Sequence, residues 1–204
     1  MLRMMMALLV LISAPAAAQT AAPGLANPRV AFETSEGRFV LEVDRANAPI
    51  TAANFLRYVD AKRLDNIRVY RTAKVAERFG FIQFGVENDP KRIYPPIKHE
   101  PTSQTGIKHL DGVISMPRRA PGTAQGEFTI SIGAQTALDA DPAAPGDNLG
   151  YAAFGRVVEG METVLKIFDA PISPTATVRG VFKGEVPAKP VRILTVRRLP
   201  APRP

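Results

Sequence analysis

The chain of 204 residues contains no cysteine and only two histidines. Without cysteine the protein cannot form disulfide bonds, use a thiol in catalysis or carry a lipid on an N-terminal cysteine. His99 and His109 fall in loop sequence with no cysteine nearby, which is poor spacing for a metal site, so we expect both on the surface. We therefore predict that the protein uses no metal and no cofactor.

Motifs for covalent chemistry are missing as well. The sequence has no Gly-x-Ser-x-Gly elbow for a nucleophilic serine and no glycine-rich loop that would hold a phosphate. Carboxylates are numerous, but no pair stands in a context that suggests acid–base catalysis, and we assign Asp139 and Asp141 to a turn. What remains suits a function in which no covalent bond is broken.

Positive charge exceeds negative charge, with a formal net charge of +7, but the basic residues are scattered. The densest basic cluster lies near the C-terminus and consists of Arg192, Arg197, Arg198 and Arg203. Nucleic-acid binding would require a basic face with aromatic side chains interleaved. We therefore interpret the charge as a solvated basic surface, predict no nucleic-acid partner, and rank nucleic-acid binding last among the possible functions.

The N-terminus has the pattern of an export signal. Arg3 supplies the positive charge, Met4 to Ile12 is an apolar run, and three small residues end at Ala18. The run is too short to span a bilayer, which needs about 20 residues. We therefore predict cleavage near Ala18, no membrane anchor, and a periplasmic or secreted protein.

The rest of the chain is consistent with one folded domain. We divide it into a signal peptide (1–18), a flexible leader (19–28), the domain (29–199) and a tail (200–204). Short apolar or alternating runs predict eight strands, at 29–34, 37–43, 67–72, 80–86, 112–116, 127–132, 152–157 and 191–198. Apolar residues at helical spacing predict one helix that opens at Pro49 and another over Glu159 to Phe168. Residues 170–190 are rich in proline and glycine and are expected to form a loop.

These elements lack the alternating strand–helix rhythm of a parallel sheet. Short strands, intervening turn residues and only two helices favour an antiparallel barrel. Pairing of the first and last strands would close this barrel and remove its exposed edges. The fold class is therefore mainly β, a closed eight-stranded antiparallel barrel with two capping helices.

Two neighbouring strands carry an arginine and a glutamine among apolar residues. Because strand side chains alternate between faces, Phe81, Gln83 and Gly85 share one face, and Arg71 stands on the preceding strand. This places a cation, an amide and an aromatic ring on one sheet surface. In the strand 127–132, the same alternation directs Glu127, Thr129 and Ser131 to the outer face, as in any half-buried strand.

Several motifs, in order, give the sequence from Val30 to Arg198 a resemblance to the cyclophilins, which are eight-stranded-barrel peptidyl-prolyl cis-trans isomerases. The motifs are Pro49-Ile-Thr-Ala-Ala-Asn-Phe55, Tyr70-Arg71, Phe81-Ile-Gln83, Gly112-Val-Ile-Ser-Met116, Glu127-Phe-Thr-Ile130 and Ala153-Phe-Gly-Arg-Val-Val-Glu-Gly-Met161. Each motif alone is a weak signal. Their common order over most of the chain makes the resemblance specific.

The resemblance implies a catalytic site of Arg71 and Gln83. It also implies a substrate groove, whose residues are Phe81, Glu127, Thr129, Leu138, Tyr151 and Arg118. The chain departs from the family pattern in this groove. Gly80 and Thr129 replace pocket phenylalanines, Ala137 replaces a tryptophan, and the link between Arg71 and Gln83 is longer than usual. Either Phe79 or Phe81 is available to fill the space at Gly80.

The resemblance thus implies a prolyl isomerase that accelerates X–Pro isomerisation in exported proteins while they fold. Its partners would be proline-containing, unfolded polypeptides, and we expect a monomer. The altered pocket supports an alternative, a binding module or chaperone that holds proline-containing segments without turning them over. Retention of Arg71 favours the enzyme.

Overall fold

The computed structural model describes residues 26–201, so the predicted signal peptide and the end of the tail lie outside the described residues. The strands are β1 (Arg29–Thr34), β2 (Gly37–Val43), β3 (Ile67–Ala76), β4 (Phe79–Gly85), β5 (Val113–Met116), β6 (Glu127–Ile132), β7 (Ala152–Glu159), β8 (Ile172–Ser173), β9 (Val186–Pro187) and β10 (Val191–Arg198). The helices are α1 (Pro49–Asp60), α2 (Thr102–Thr105), a 3₁₀ turn (Thr136–Leu138) and α3 (Met161–Asp169). No helix within 26–201 is both long enough and apolar enough to cross a bilayer.

Eight strands close into an antiparallel barrel in the order β1-β10-β3-β4-β6-β5-β7-β2. The first and last strands pair along most of their length, from Val30 opposite Arg198 to Thr34 opposite Ile193, as the sequence predicts. Closure leaves no barrel edge open to pair with another chain. The predicted fold class is therefore confirmed. Three elements within the described chain were not predicted: the short helix α2, the 3₁₀ turn, and the separate two-stranded sheet of β8 and β9.

Aromatic rings fill the barrel interior because inward positions alternate with outward ones along each strand. Phe32 stacks on Phe39 with ring centres 4.6 Å apart, and Phe55 meets Phe128 edge-on at 5.2 Å. The ring centre of Phe84 lies 5.5 Å from that of Phe32 and 5.9 Å from that of Phe128, so Phe84 links the two pairs into one core. All five side chains are essentially inaccessible to solvent. The outward neighbours of the β4 and β6 rings are thereby fixed on the opposite face, where the groove lies.

Both histidines are buried, so their predicted surface positions are wrong. His109 is 0% exposed, and its ring Nδ1 lies 2.8 Å from Asp139 Oδ1. His99 is 9% exposed, and its Nε2 lies 3.1 Å from the Leu149 carbonyl oxygen. Burial lowers the pKa of both imidazoles. Each histidine joins two loops that are distant in sequence, a role that local sequence does not reveal.

The first helix receives its N-terminal cap from a distant loop. Pro49 starts the helix, but Ala48 at the N-cap has no side chain that could accept a hydrogen bond. The Glu100 carboxylate instead accepts hydrogen bonds from the backbone N–H groups of Ile50 and Thr51, at 3.1 and 2.7 Å, and from Thr51 Oγ1 at 2.6 Å. Because Glu100 is only 1% exposed, these bonds are shielded from water.

We predict that Glu100→Ala lowers the free energy of unfolding by about 2–4 kcal/mol, because it leaves three donors without their acceptor, two of them buried. Urea denaturation followed by circular dichroism measures this loss. The matched control is Glu162→Ala, which removes an exposed carboxylate from the first turn of α3. Equal midpoints for the two variants would show that Glu100 does not support the helix.

Candidate active site

An open groove of about 860 Å³ runs across the outer face of β3, β4 and β6. All the residues to which the resemblance assigned catalytic or binding roles line it, namely Arg71, Phe81, Gln83, Arg118, Glu127, Thr129, Leu138 and Tyr151. The structure therefore brings together the whole predicted set, although the segments that carry it are far apart in sequence. The roles of these residues in binding and catalysis stay predictions.

Strand register, not sequence spacing, aligns the central residues. Arg71 on β3 is opposite Gln83 on β4, Gln83 is opposite Thr129 on β6, and Thr129 is opposite Ser115 on β5. Arg71 Nη1 donates a hydrogen bond to Gln83 Oε1 at 3.2 Å. These four residues form one row across four strands, which we call the polar row.

An enlarged loop is the expectation from the longer link between Arg71 and Gln83, and it is wrong. The extra residues extend the two strands of the hairpin instead. Strand β3 continues to Ala76 and β4 begins at Phe79, so that only a tight turn joins them. Phe81 lines the groove, with its ring centre 4.9 Å from the Arg71 guanidinium carbon. Phe79 lies at the hairpin end beside Gly133. Of the two phenylalanines left open by the sequence, Phe81 is the one in the groove.

The outer-face residues of β6 are more enclosed than an ordinary solvent-facing row. Thr129 is 2% exposed and Ser131 is 0% exposed, which corrects the half-exposed strand expected from alternation alone. Thr129 Oγ1 forms a hydrogen bond with Ser115 Oγ at 2.9 Å. The threonine thus contributes a small polar floor to the groove and no aromatic surface for a proline ring.

Glu127 is a partly buried carboxylic group at the side of the groove. Its Oε2 accepts a hydrogen bond of 2.7 Å from the Tyr70 hydroxyl. A Cβ atom at Gly85 would lie 2.3 Å from this oxygen, so glycine at that position makes room for the carboxyl group. Burial raises the pKa of Glu127 to about 7, and the Tyr70 hydrogen bond opposes the rise. Burial and the adjacent carboxylate also raise the pKa of Tyr70.

Arg118 pairs with Asp147 and not with Glu127. Its Nη atoms bind both carboxylate oxygens of Asp147 at 2.6 and 2.7 Å, and its Nε donates to the Gly150 carbonyl oxygen at 2.7 Å. This two-point pair holds the pKa of Asp147 at about 2. Arg118 therefore fastens the loop after the 3₁₀ turn to the barrel and forms one wall of the groove.

Two residues that contact Arg71 were not predicted from the sequence. Glu185 forms an ion pair with Arg71 Nε, and the Phe182 ring centre lies 4.1 Å from the Arg71 guanidinium carbon. Both come from the proline- and glycine-rich stretch that was expected to be a loop. The only local signal is the pair Gly180 and Gly184, which brackets Phe182 and indicates two successive turns.

The fold and the groove together restrict the chemistry that the protein can perform. A closed antiparallel barrel presents a fixed guanidinium and amide beside an aromatic ring. Among residues 26–201 no three His, Asp or Glu side chains gather as possible metal ligands. Such a site can hold an extended polypeptide and stabilise a distorted, uncharged group within it.

Comparisons with known proteins give the family. The model of the cyclophilin type peptidyl-prolyl cis-trans isomerase family matches residues 29–198. The peptidyl-prolyl cis-trans isomerase of Acinetobacter baylyi is 31% identical over 179 residues, covering 86% of this chain and 88% of that protein. Peptidyl-prolyl cis-trans isomerase B of Escherichia coli is 31% identical, covering 82% of this chain and 97% of that protein.

A solved structure supports the same fold. The cyclophilin type isomerase of Cryptosporidium parvum superposes with a TM-score of 0.69 at 19% identity, covering 86% of this chain and 99% of that chain. A second structure of that protein was determined in the presence of the dipeptide Ala-Pro. The chain belongs to the cyclophilin-type peptidyl-prolyl cis-trans isomerase family and is an enzyme of that activity.

The raised pKa of Glu127 predicts how stability depends on pH. The folded state retains a proton that the unfolded chain releases near the ordinary value of 4.5. The contribution of this group is therefore complete below about pH 4.5 and is lost as pH rises through about 7. A shift of this size corresponds to about 3 kcal/mol.

We predict that the free energy of unfolding of Glu127→Gln, relative to that of the wild type, rises by about 2–3 kcal/mol as the pH is raised from 5 to 8.5. Urea unfolding of both proteins across this range measures the difference, in which the histidine contributions cancel. Glu162→Gln controls for the loss of a carboxylate at an exposed position. A stability difference that stays constant with pH would contradict a raised pKa for Glu127.

Proposed function

We propose that this prolyl isomerase acts on exported proteins as they fold, with Arg71 as its catalytic cation and Gln83 as the residue that holds the substrate backbone. The observation that carries the proposal is the polar row, which fixes Arg71 and Gln83 side by side on the floor of an open groove. Phe81 adds an apolar surface beside them.

The chemistry requires no bond to an enzyme atom. Rotation about an X–Pro bond crosses a barrier of about 18–20 kcal/mol that comes from amide resonance. In the twisted transition state the proline nitrogen becomes pyramidal and regains its lone pair. A guanidinium directed at that nitrogen stabilises the twisted amide more than the planar one, which is the condition for catalysis.

Arginine suits this role because it stays charged and because its planar fork can hold a carbonyl oxygen with a second N–H group. In this groove the Arg71 side chain is only 20% exposed, so bulk water screens its charge less than at an open surface. Gln83 retains an amide nitrogen for a substrate carbonyl oxygen while its Oε1 accepts from Arg71.

The binding-module alternative has one observation in its favour. Thr129 is committed to Ser115 and offers no aromatic surface for a proline ring, so the pocket holds proline less tightly than a ring would. Exchange spectroscopy separates the two functions, because an enzyme speeds cis–trans exchange of a peptide, whereas a binding module shifts its signals without faster exchange.

We predict that Arg71→Ala lowers kcat/KM for X–Pro peptides by about 100-fold or more, because it removes the charge that stabilises the twisted amide. The measurement is catalysed cis–trans exchange of a short X–Pro peptide. Arg68→Ala is the matched control, since Arg68 lies on the same strand but pairs with Glu87 outside the polar row. Wild-type turnover by Arg71→Ala would show that another group is catalytic.

The export context rests on the sequence pattern of residues 1–18. Isomerisation of X–Pro bonds takes tens to hundreds of seconds without a catalyst, so newly exported chains offer a slow step for such an enzyme to accelerate. The absence of cysteine is compatible with an oxidising compartment, where the fold needs no disulfide and risks none.

We predict that the full chain, expressed in a Gram-negative host, appears in the periplasmic fraction with Gln19 as its first residue. Cell fractionation and N-terminal sequencing measure both. A chain that starts at Ala26 after a new initiator methionine should stay in the cytoplasm and keep its isomerase activity. An uncleaved full chain in the cytoplasm would contradict the export proposal.

A further inference from the structure

Residues 174–185, here called the strap, connect β8 to β9 and cross one side of the groove. Two turns shape the strap. Val178 and Val181 exchange backbone hydrogen bonds of 2.8 and 3.0 Å around Arg179 and Gly180, which both have positive φ angles, as a type I′ turn requires. The second turn is closed by the Glu185 N–H group, which donates to the Phe182 carbonyl oxygen at 3.0 Å.

The strap is anchored next to the catalytic strand through Glu185 itself. The Thr72 N–H group donates to the Glu185 carbonyl oxygen at 2.7 Å. Thr72 follows Arg71 in β3, so this bond fixes the Glu185 backbone beside Arg71. Formation of the Glu185–Arg71 ion pair then requires ordering of the side chains alone.

Phe182 also contacts the Arg71 guanidinium. With Val178 and Val186 it packs around Tyr70, and its ring lies 4.1 Å from the Arg71 guanidinium carbon. Its φ angle is 62°, a left-handed conformation that is costly for a bulky residue and persists only where the surroundings enforce it. The guanidinium therefore contacts two aromatic rings, since the Phe81 ring is close to it as well.

These contacts leave part of the guanidinium free for a ligand. Glu185 takes the Nε–H group and Gln83 takes one Nη1–H group. Within residues 26–201 no protein atom accepts a hydrogen bond from Nη2. The donors of Arg71 left for a ligand are therefore one Nη1–H group and both Nη2–H groups.

The strap forms a wall of the groove and does not block it. Val178, Arg179, Val181 and Phe182 line the same open space of about 860 Å³ as Arg71 and Gln83. Self-inhibition would need strap side chains to fill this space. An intact groove instead fits a segment that completes the site.

We infer that Glu185 is a positioning residue for the isomerase reaction, and that together with Phe182 it fixes the plane and direction of the Arg71 guanidinium. The inference rests on the proposed catalytic role of Arg71. Its physical basis is that a small misplacement of a catalytic group costs much of its effect on the transition state, while substrate binding through the rest of the groove is unchanged.

The test compares Glu185→Ala with Glu185→Gln. Glu185→Ala should lower kcat for an X–Pro peptide by about tenfold and leave KM within about twofold. Glu185→Gln should recover most of kcat, since its amide oxygen still accepts from Arg71 Nε. Glu159→Ala is the matched control, because it removes the ion-pair partner of Arg29, which lies outside the groove.

The Arg71 Nε–H signal in a ¹⁵N-correlated NMR spectrum reports directly whether the guanidinium is held in place. It should exchange slowly with water in the wild type and in Glu185→Gln, and quickly in Glu185→Ala. Wild-type kcat in Glu185→Ala, or a loss of kcat that Glu185→Gln does not restore, would overturn the inference. Full activity of Arg71→Ala would contradict the proposed catalytic role of Arg71. Full activity of Glu185→Ala together with an inactive Arg71→Ala would contradict only the positioning role of Glu185.

Discussion

The site depends on the hydrogen-bond register between β3, β4, β6 and β5. That register places the members of the polar row opposite one another while the rings on the other face fill the barrel. Because the side-chain period of a strand is two, a slip of one residue would turn Phe84 outward and Gln83 into the core. The core packing that stabilises the barrel therefore also enforces the geometry of the groove.

Much of this arrangement is predictable from local pattern. Alternation in the strands and the proline before α1 define the elements, and the ordered motifs identify the barrel and its groove residues. The burial of His109 and Thr129 is not predictable in this way, because it depends on which loops cover them. Glu185 is invisible for the same reason, since its partner lies 114 residues away.

Charge in the groove is organised in pairs between distant segments. Arg71 meets Glu185, and Arg118 meets Asp147, so two cations that sequence alone leaves unpartnered are held by carboxylates from other loops. Glu127 is different because its neighbour is a neutral hydroxyl. Because its pKa is raised to about 7, the Glu127 carboxyl group changes charge near neutral pH.

The order in which the chain is made has a consequence for the strap and β10. Strand β10 lies between β1 and β3, so the barrel stays open until residues 191–198 have arrived, and the strap comes just before them. A chain that emerges N-terminus first carries Arg71 long before it carries Glu185. Activity that depends on the closed barrel would then begin only after residues 191–198 have been made, which makes turnover a reporter of barrel closure.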